Sequence, residues 1–282
     1  MDIELAHSAG FCFGVRRAIK IAQDLTKKGI EVSMLGDLVH NEAVISQLEA
    51  DGIHKIARLG KGQGKMLLIR AHGTSKEHIS KARKHGYKIV DATCPMVREI
   101  HKITRRMDKL GYTIIIIGDR RHDEVRGIVG QIRRKPVVIE SLVNNPQNAI
   151  KRIKKAAIVV QSTQNLKQVE PIVEMLQKEI AQVKFFNTIC RPTRQKQEEI
   201  RMLARHSVLW LFSCFIGRGT VKRLYEISMA LNPHSFWIQN DTKIEPDWFK
   251  NIKTVGITVG ASTPDSTTLA VIKCIKQITE RE

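Results

Sequence analysis

The chain has 282 residues, long enough for two or three small domains, and its 42% apolar and 27% charged residues are ordinary for a globular protein, while its formal net charge of +19 is unusual. No apolar run is long enough to span a bilayer, and the N-terminal MDIELAHSAG lacks the basic-then-apolar order of a signal peptide, so a cytoplasmic location is expected. The basic surface suits anions, from acidic proteins to phosphorylated metabolites, while an aromatic content of only 5% argues against nucleic acid as the main partner.

Short β-rich runs alternate with helical periodicity from one end to the other. Strands are predicted at 2–7, 31–35, 66–71, 87–91, 112–118, 156–161, 183–188, 208–214, 234–239 and 254–259. Helices are predicted between them, most clearly over 14–29, 95–111, 166–180 and 191–207. Such alternation predicts an α/β fold of mostly parallel sheets with helices on their faces. Ligands then bind just past the carboxyl ends of the strands. In chain order the strand exits carry Cys12, His40, His72, Cys94, His122, the Gln-Ser-Thr at 161–163, Cys190, the Gly-Arg-Gly-Thr at 217–220 and Ser262. The order repeats: a cysteine, then two anion-binding loops, three times. Successive cysteines of this set lie 82 and 96 residues apart, and 92 residues follow the last. We therefore expect three α/β lobes, 1–94, 95–190 and 191–282, in a pseudo-threefold arrangement with one thiolate each at the centre. The N-terminal strand is a candidate to pack with the third lobe.

Of five cysteines, Cys214 in VLWLFSCFI and Cys274 in LAVIKCIKQI read as small buried hydrophobes. Cys12, Cys94 and Cys190 lie at loop signals instead, GFCFG, DATCP and NTICRP. Three converging thiolates suit zinc or an iron–sulfur cluster, and simple burial is a third reading. A [4Fe–4S] cube on three cysteines leaves one iron without a protein ligand, able to act as a Lewis acid. His40, His72 and His122, with Ser162, Thr163 and Ser262, are donors suited to a diphosphate, several of them at helix starts; each also reads as an ordinary loop or capping residue. Glu124 is either a proton relay or a first-turn helix carboxylate. Asp91 and Asp265 read as turn or capping residues.

With these residues in view, the chain resembles the 4-hydroxy-3-methylbut-2-enyl diphosphate reductase family, through GFCFGVRRAI, LVHNEAV, AHGTS, DATCPMV, HDEVRGIVGQ, VVQST, NTIC and GITVGASTPD in family order. The resemblance implies three α/β lobes around a [4Fe–4S] cluster held by Cys12, Cys94 and Cys190. It implies two-electron reductive dehydroxylation of the substrate to isopentenyl and dimethylallyl diphosphates, the end of non-mevalonate isoprenoid biosynthesis. The implied diphosphate ligands are His40, Asn41, His72, His122, Ser162 and Ser262; Glu124 is the implied proton donor, with the hydroxyls of Ser162 and Thr163 where the family has two threonines. The implied electron donor is ferredoxin or flavodoxin, acidic proteins suited to the basic surface. One segment departs: the family's Ser-Ser-Asn is replaced by Arg218-Gly219-Thr220. Arg218 and Thr220 stand where the diphosphate is contacted: Arg218 either replaces the lost donors by a bidentate charge-assisted contact or is too long for a pocket shaped for serine and excludes the substrate. A cluster-binding paralogue without this catalysis, or a basic nucleic-acid-binding protein, are the alternatives.

Overall fold

The computed structural model describes residues 1–39, 41–143, 147–204, 209–213, 220–239 and 241–280. The chain runs through β1 (Asp2–Leu5), α1 (Phe13–Thr26), β2 (Val32–Leu35), α2 (Glu42–Ala50), β3 (Ile53–Ile56), β4 (Met66–Ile69), α3 (Lys76–Lys84) and β5 (Lys88–Asp91). It continues through α4 (Pro95–Lys109), β6 (Thr113–Ile117), α5 (Asp123–Val129), β7 (Val137–Ile139), α6 (Gln147–Ile150), β8 (Lys155–Val160), α7 (Leu166–Glu179) and β9 (Gln182–Phe186). Last come α8 (Arg191–Leu203), β10 (Leu209–Ser213), α9 (Thr220–Met229), β11 (Ser235–Ile238), β12 (Thr254–Val259) and α10 (Asp265–Thr279). Among the described residues no helix is long and apolar enough to cross a membrane.

The strands form three four-stranded sheets, β3-β2-β4-β5, β7-β6-β8-β9 and β11-β10-β12-β1. Every pairing is parallel. Numbered by order within its own segment, each sheet has its second strand at one edge, then the first, third and fourth. In the last sheet the fourth place is taken by β1, registered Asp2 to Thr254 through Leu5 to Ile257 on β12. The first strand of the chain thus completes its last sheet.

Contacts divide the chain into two compact units, one of residues 1–15, 40–44 and 191–282 and one of residues 16–39 and 45–190. The first holds the sheet that β1 completes. The second holds the other two sheets. In the second unit the apolar run of β6 serves both faces, as a doubly covered parallel sheet requires. Ile115 and Ile117 pack with Ile158, Val169, Ile172 and Leu176, while Ile114 and Ile116 pack with Ile100, Met107, Val125 and Val159. In the first unit Val255 and Ile257 of β12 pack on Val271 and Ile275 of α10.

Two strands were not anticipated from sequence, β3 (Ile-His-Lys-Ile) and β7 (Val-Val-Ile). Both are short edge strands, and β3 buries only Ile53 fully, so neither leaves an extended apolar run in the chain.

Within the second unit, the end of α5 clasps the loop after β4. Gln131 donates from Nε2 to the Thr74 and Gly127 carbonyls at 2.9 and 3.0 Å, and its Oε1 accepts from Arg105 at 2.9 Å. Gly130 touches Ser75 so closely that an added Cβ would lie 2.1 Å from the serine Cβ and 2.8 Å from its Cα. Gly130→Ala is therefore expected to destabilise the protein by about 1–3 kcal/mol through overpacking, read as a lower Tm; an unchanged Tm contradicts the clasp.

Candidate functional site

Each of the three loop cysteines directly precedes a helix: Cys12 before α1, Cys94 before α4 and Cys190 before α8. Each follows the fourth strand of its sheet. Each also sends its backbone N–H to the carbonyl two residues past the third strand of that same sheet. Cys12 donates to Ala261 at 3.1 Å, Cys94 to Ala71 at 2.9 Å and Cys190 to Ser162 at 3.0 Å. The accepting loops are alike too, each closed by an i to i+3 backbone bond: Gly73 to Arg70, Gln164 to Gln161 and Thr263 to Gly260. Three segments with little sequence in common thus present a thiol in one way, at a helix N-terminus where the backbone dipole favours negative charge.

The second unit gathers most of the other expected residues. His72 and His122 meet edge to face, with ring centroids 5.6 Å apart. His122 caps α5, its Nδ1 accepting from the Glu124 N–H at 3.1 Å, so the neutral ring carries its proton on Nε2. Glu124 is only 2% exposed. Its two oxygens accept from the Ser162 N–H and hydroxyl, both at 2.6 Å. Because the Ser162 carbonyl accepts from Cys190, one residue joins the buried carboxylate to a cysteine loop. Thr163 accepts from Gln161 Nε2 at 3.0 Å, which leaves its hydroxyl proton to donate outward.

Cys12, Asn41, Thr220 and Ser262 belong to the first unit. Asn41 caps α2, its Oδ1 accepting from Val44 at 3.0 Å. Thr220 is the buried first residue of α9, and Ser262 sits in the β12 exit loop next to Ala261, which accepts from Cys12. His40, Arg218, Gly219 and Cys214 lie outside the described residues. Asp91 makes the expected turn, Oδ1 accepting from Thr93 at 2.9 Å.

No disulfide joins Cys12, Cys94, Cys190 or Cys274, and among the described residues no three His, Cys, Asp or Glu side chains gather as a site for a metal ion. What fits an iron–sulfur cluster is the donor chemistry: three half-buried thiols, each held at a helix start by the same backbone bond.

The LytB protein family matches residues 3–276. The chain belongs to that family. It is 35% identical over 284 residues to the 4-hydroxy-3-methylbut-2-enyl diphosphate reductase of Aquifex aeolicus, covering 99% of this chain and 98% of that one. It is 34% identical to the Campylobacter fetus reductase of the same name, covering 100% of both. Among solved structures, an (E)-4-hydroxy-3-methyl-but-2-enyl diphosphate reductase, the terminal enzyme of the non-mevalonate pathway, has a TM-score of 0.72 at 34% identity, over 98% of this chain and 100% of that one. The Plasmodium falciparum reductase has a TM-score of 0.90 at 25% identity, over 96% and 87%.

Several supporting residues of this LytB family chain were given no role by the sequence reading. Gln161 takes the Asp119 N–H on Oε1 at 2.9 Å while bonding Thr163. Arg70 pairs with Asp123 at 2.8 Å, tying the β4 exit to the start of α5 between His122 and Glu124. His101 is 6% exposed and lies under Gly73, where an added Cβ would come 2.8 Å from its Cε1. Their only sequence signal is a polar residue on an otherwise apolar helix face or at a strand exit.

Burial above all, and then Arg105, push the His101 pKa down from 6.5 to about 4, against a smaller opposing effect of Asp91. The unfolded chain therefore binds this proton first as pH falls. The stability conferred by the neutral ring is complete above pH 6.5 and is lost between 6.5 and 4. Unfolding in denaturant across that window should show His101→Gln losing about 3 kcal/mol less than the parent chain. Parallel profiles contradict the assignment.

Proposed function

We infer that this chain works as a 4-hydroxy-3-methylbut-2-enyl diphosphate reductase of three α/β lobes, 1–94, 95–190 and 191–282, and that Cys12, Cys94 and Cys190, one from each of the three sheets' exit loops, hold a [4Fe–4S] cluster. Family membership and full-length likeness to reductases of that name support the activity. The observation that carries the site is the junction at Ser162, which bonds both the buried Glu124 carboxylate and the Cys190 loop.

When bound, the cluster supplies electrons and a Lewis-acidic iron for the substrate's hydroxyl. The protein's own groups do the rest. His72 and His122, their rings edge to face with centroids 5.6 Å apart, donate to the diphosphate, with Ser262, Asn41, His40, Arg218 and Thr220 completing the anion site. At rest the Ser162 hydroxyl donates to Glu124 at 2.6 Å; once Glu124 takes up a proton that bond reverses, the carboxylic O–H donating to Ser162 Oγ while the serine proton turns to the departing hydroxyl. The C–O bond breaks, water leaves, and the second proton goes to the allylic carbon as a C–H bond forms. Two electrons and two protons enter per turnover; the electrons are delivered in the cytoplasm by an acidic carrier, ferredoxin or flavodoxin, suited to the +19 surface.

Anaerobically purified protein should consume 4-hydroxy-3-methylbut-2-enyl diphosphate with reduced viologen as electron source. Glu124→Gln should lower kcat at least about a hundredfold with little change in KM. Cluster-loaded protein that consumes no substrate, or a Glu124→Gln variant with the parent kcat, rejects the reading.

A further inference from the structure

The three cysteine loops differ in length. Cys94 follows β5 by three residues and Cys190 follows β9 by four. Each of these short loops is folded by a residue at its start: Asp91, the last of β5, accepts on Oδ1 from the Thr93 N–H at 2.9 Å, and Asn187, the first after β9, accepts on Oδ1 from the Ile189 N–H at 3.3 Å. Cys12 follows β1 by seven residues. A longer loop loses more conformational freedom when fixed, and this one is held from outside by two buried charged residues of α8, 2% and 8% exposed.

Glu199 accepts from the His7 N–H at 2.5 Å, from the Ser8 N–H at 3.0 Å and from the Ser8 hydroxyl. Lys196, one helical turn earlier, donates from Nζ to the Ser8 carbonyl, and reaches those of Gly10 at 3.5 Å and Val259 at 3.4 Å. Val259 ends β12, the strand beside β1. The carboxylate therefore fixes the N–H groups of the loop, and the ammonium fixes its carbonyls to the sheet. Gly10 has φ of +90°, a conformation that glycine adopts without strain, and it turns the chain toward Cys12.

We propose that Lys196 and Glu199 are positioning residues for the Cys12 sulfur, and that the buried Lys196 charge raises the reduction potential of the cluster that Cys12 helps to hold. The second half rests on the reading given under Proposed function. A fixed cation that reaches the carbonyl of Gly10, two residues before Cys12, favours the more negative, reduced state of the cluster, and it does so most where water is excluded.

The test uses full-length protein prepared anaerobically, with Lys196→Met, Lys196→Arg and Glu199→Gln. In Glu199→Gln, hydrogen exchange at the His7 and Ser8 amides should be about tenfold faster, with amides of β4 and β6 unchanged. In Lys196→Met, a redox titration followed by electron paramagnetic resonance should give a lower midpoint potential, and a ferrous chelator should strip iron about tenfold faster. Lys196→Arg, which keeps the charge, should restore the potential. A Lys196→Met protein with a lower Tm but the parent potential and iron release shows a merely structural lysine and overturns the electrostatic half. Unchanged exchange in Glu199→Gln overturns the positioning half, and this arm decides even where Lys196→Met does not fold. Parent protein without iron or sulfide overturns the functional reading and the electrostatic half with it, while the exchange result stands separately.

Discussion

One backbone bond recurs three times and sets the geometry on which the site depends: a cysteine N–H donating to the carbonyl two residues past the third strand of its own sheet. The bond joins the fourth-strand exit to the third-strand exit. It ties each sulfur-bearing loop to a loop that carries a polar donor, His72, Thr163 or Ser262. Backbone bonding makes this insensitive to side-chain identity. The accepting residues are Ala71, Ser162 and Ala261 and the loops share little else, yet all three thiols reach the same position at a helix start. That β1 stands in as the fourth strand of the last sheet keeps the rule intact through a change of connectivity.

Where the accepting residue has a side chain able to bond, the repeat acquires chemistry. Ser162 is the one acceptor of the three with a hydroxyl, and that hydroxyl and its own N–H both serve Glu124. Burying a carboxylate costs several kcal/mol unless it is well bonded, and two short bonds from one residue supply the compensation. A carboxylate held this way has a fixed neighbour for its proton. The Arg70–Asp123 pair and the Gln131 clasp then hold the histidine and glutamate loops of the second unit in register, the preorganisation that acid–base and anion-binding sites require.

Much of the fold was legible because parallel strands covered on both faces need continuous apolar runs, and β6 and β8 announce themselves as Ile-Ile-Ile-Ile and Ala-Ala-Ile-Val-Val. The placement of Cys12, Cys94, Cys190, His72, His122 and Glu124 beyond strand ends was legible because polar residues interrupt the apolar runs there. The edge strands β3 and β7 were hidden by brevity and partial exposure. The roles of Gln161, Gln131, Lys196 and Glu199 were hidden for another reason: each acts on a segment distant in sequence or through a backbone atom, and no local periodicity records such a partner. Lys196 in particular sits in a run of polar residues, Arg-Gln-Lys-Gln-Glu-Glu, that reads as a solvated helix, yet it is only 2% exposed.

The most direct measurement of whether the three equivalent thiols act together is the iron and acid-labile sulfide content of anaerobically purified protein, compared with Cys12→Ser, Cys94→Ser, Cys190→Ser and Cys274→Ser. A cube on three cysteines predicts about four iron and four sulfide per chain, with most of both lost in each of the first three variants and neither in Cys274→Ser. Parent protein lacking iron and sulfide, or full retention after removal of any one of the three sulfurs, contradicts it.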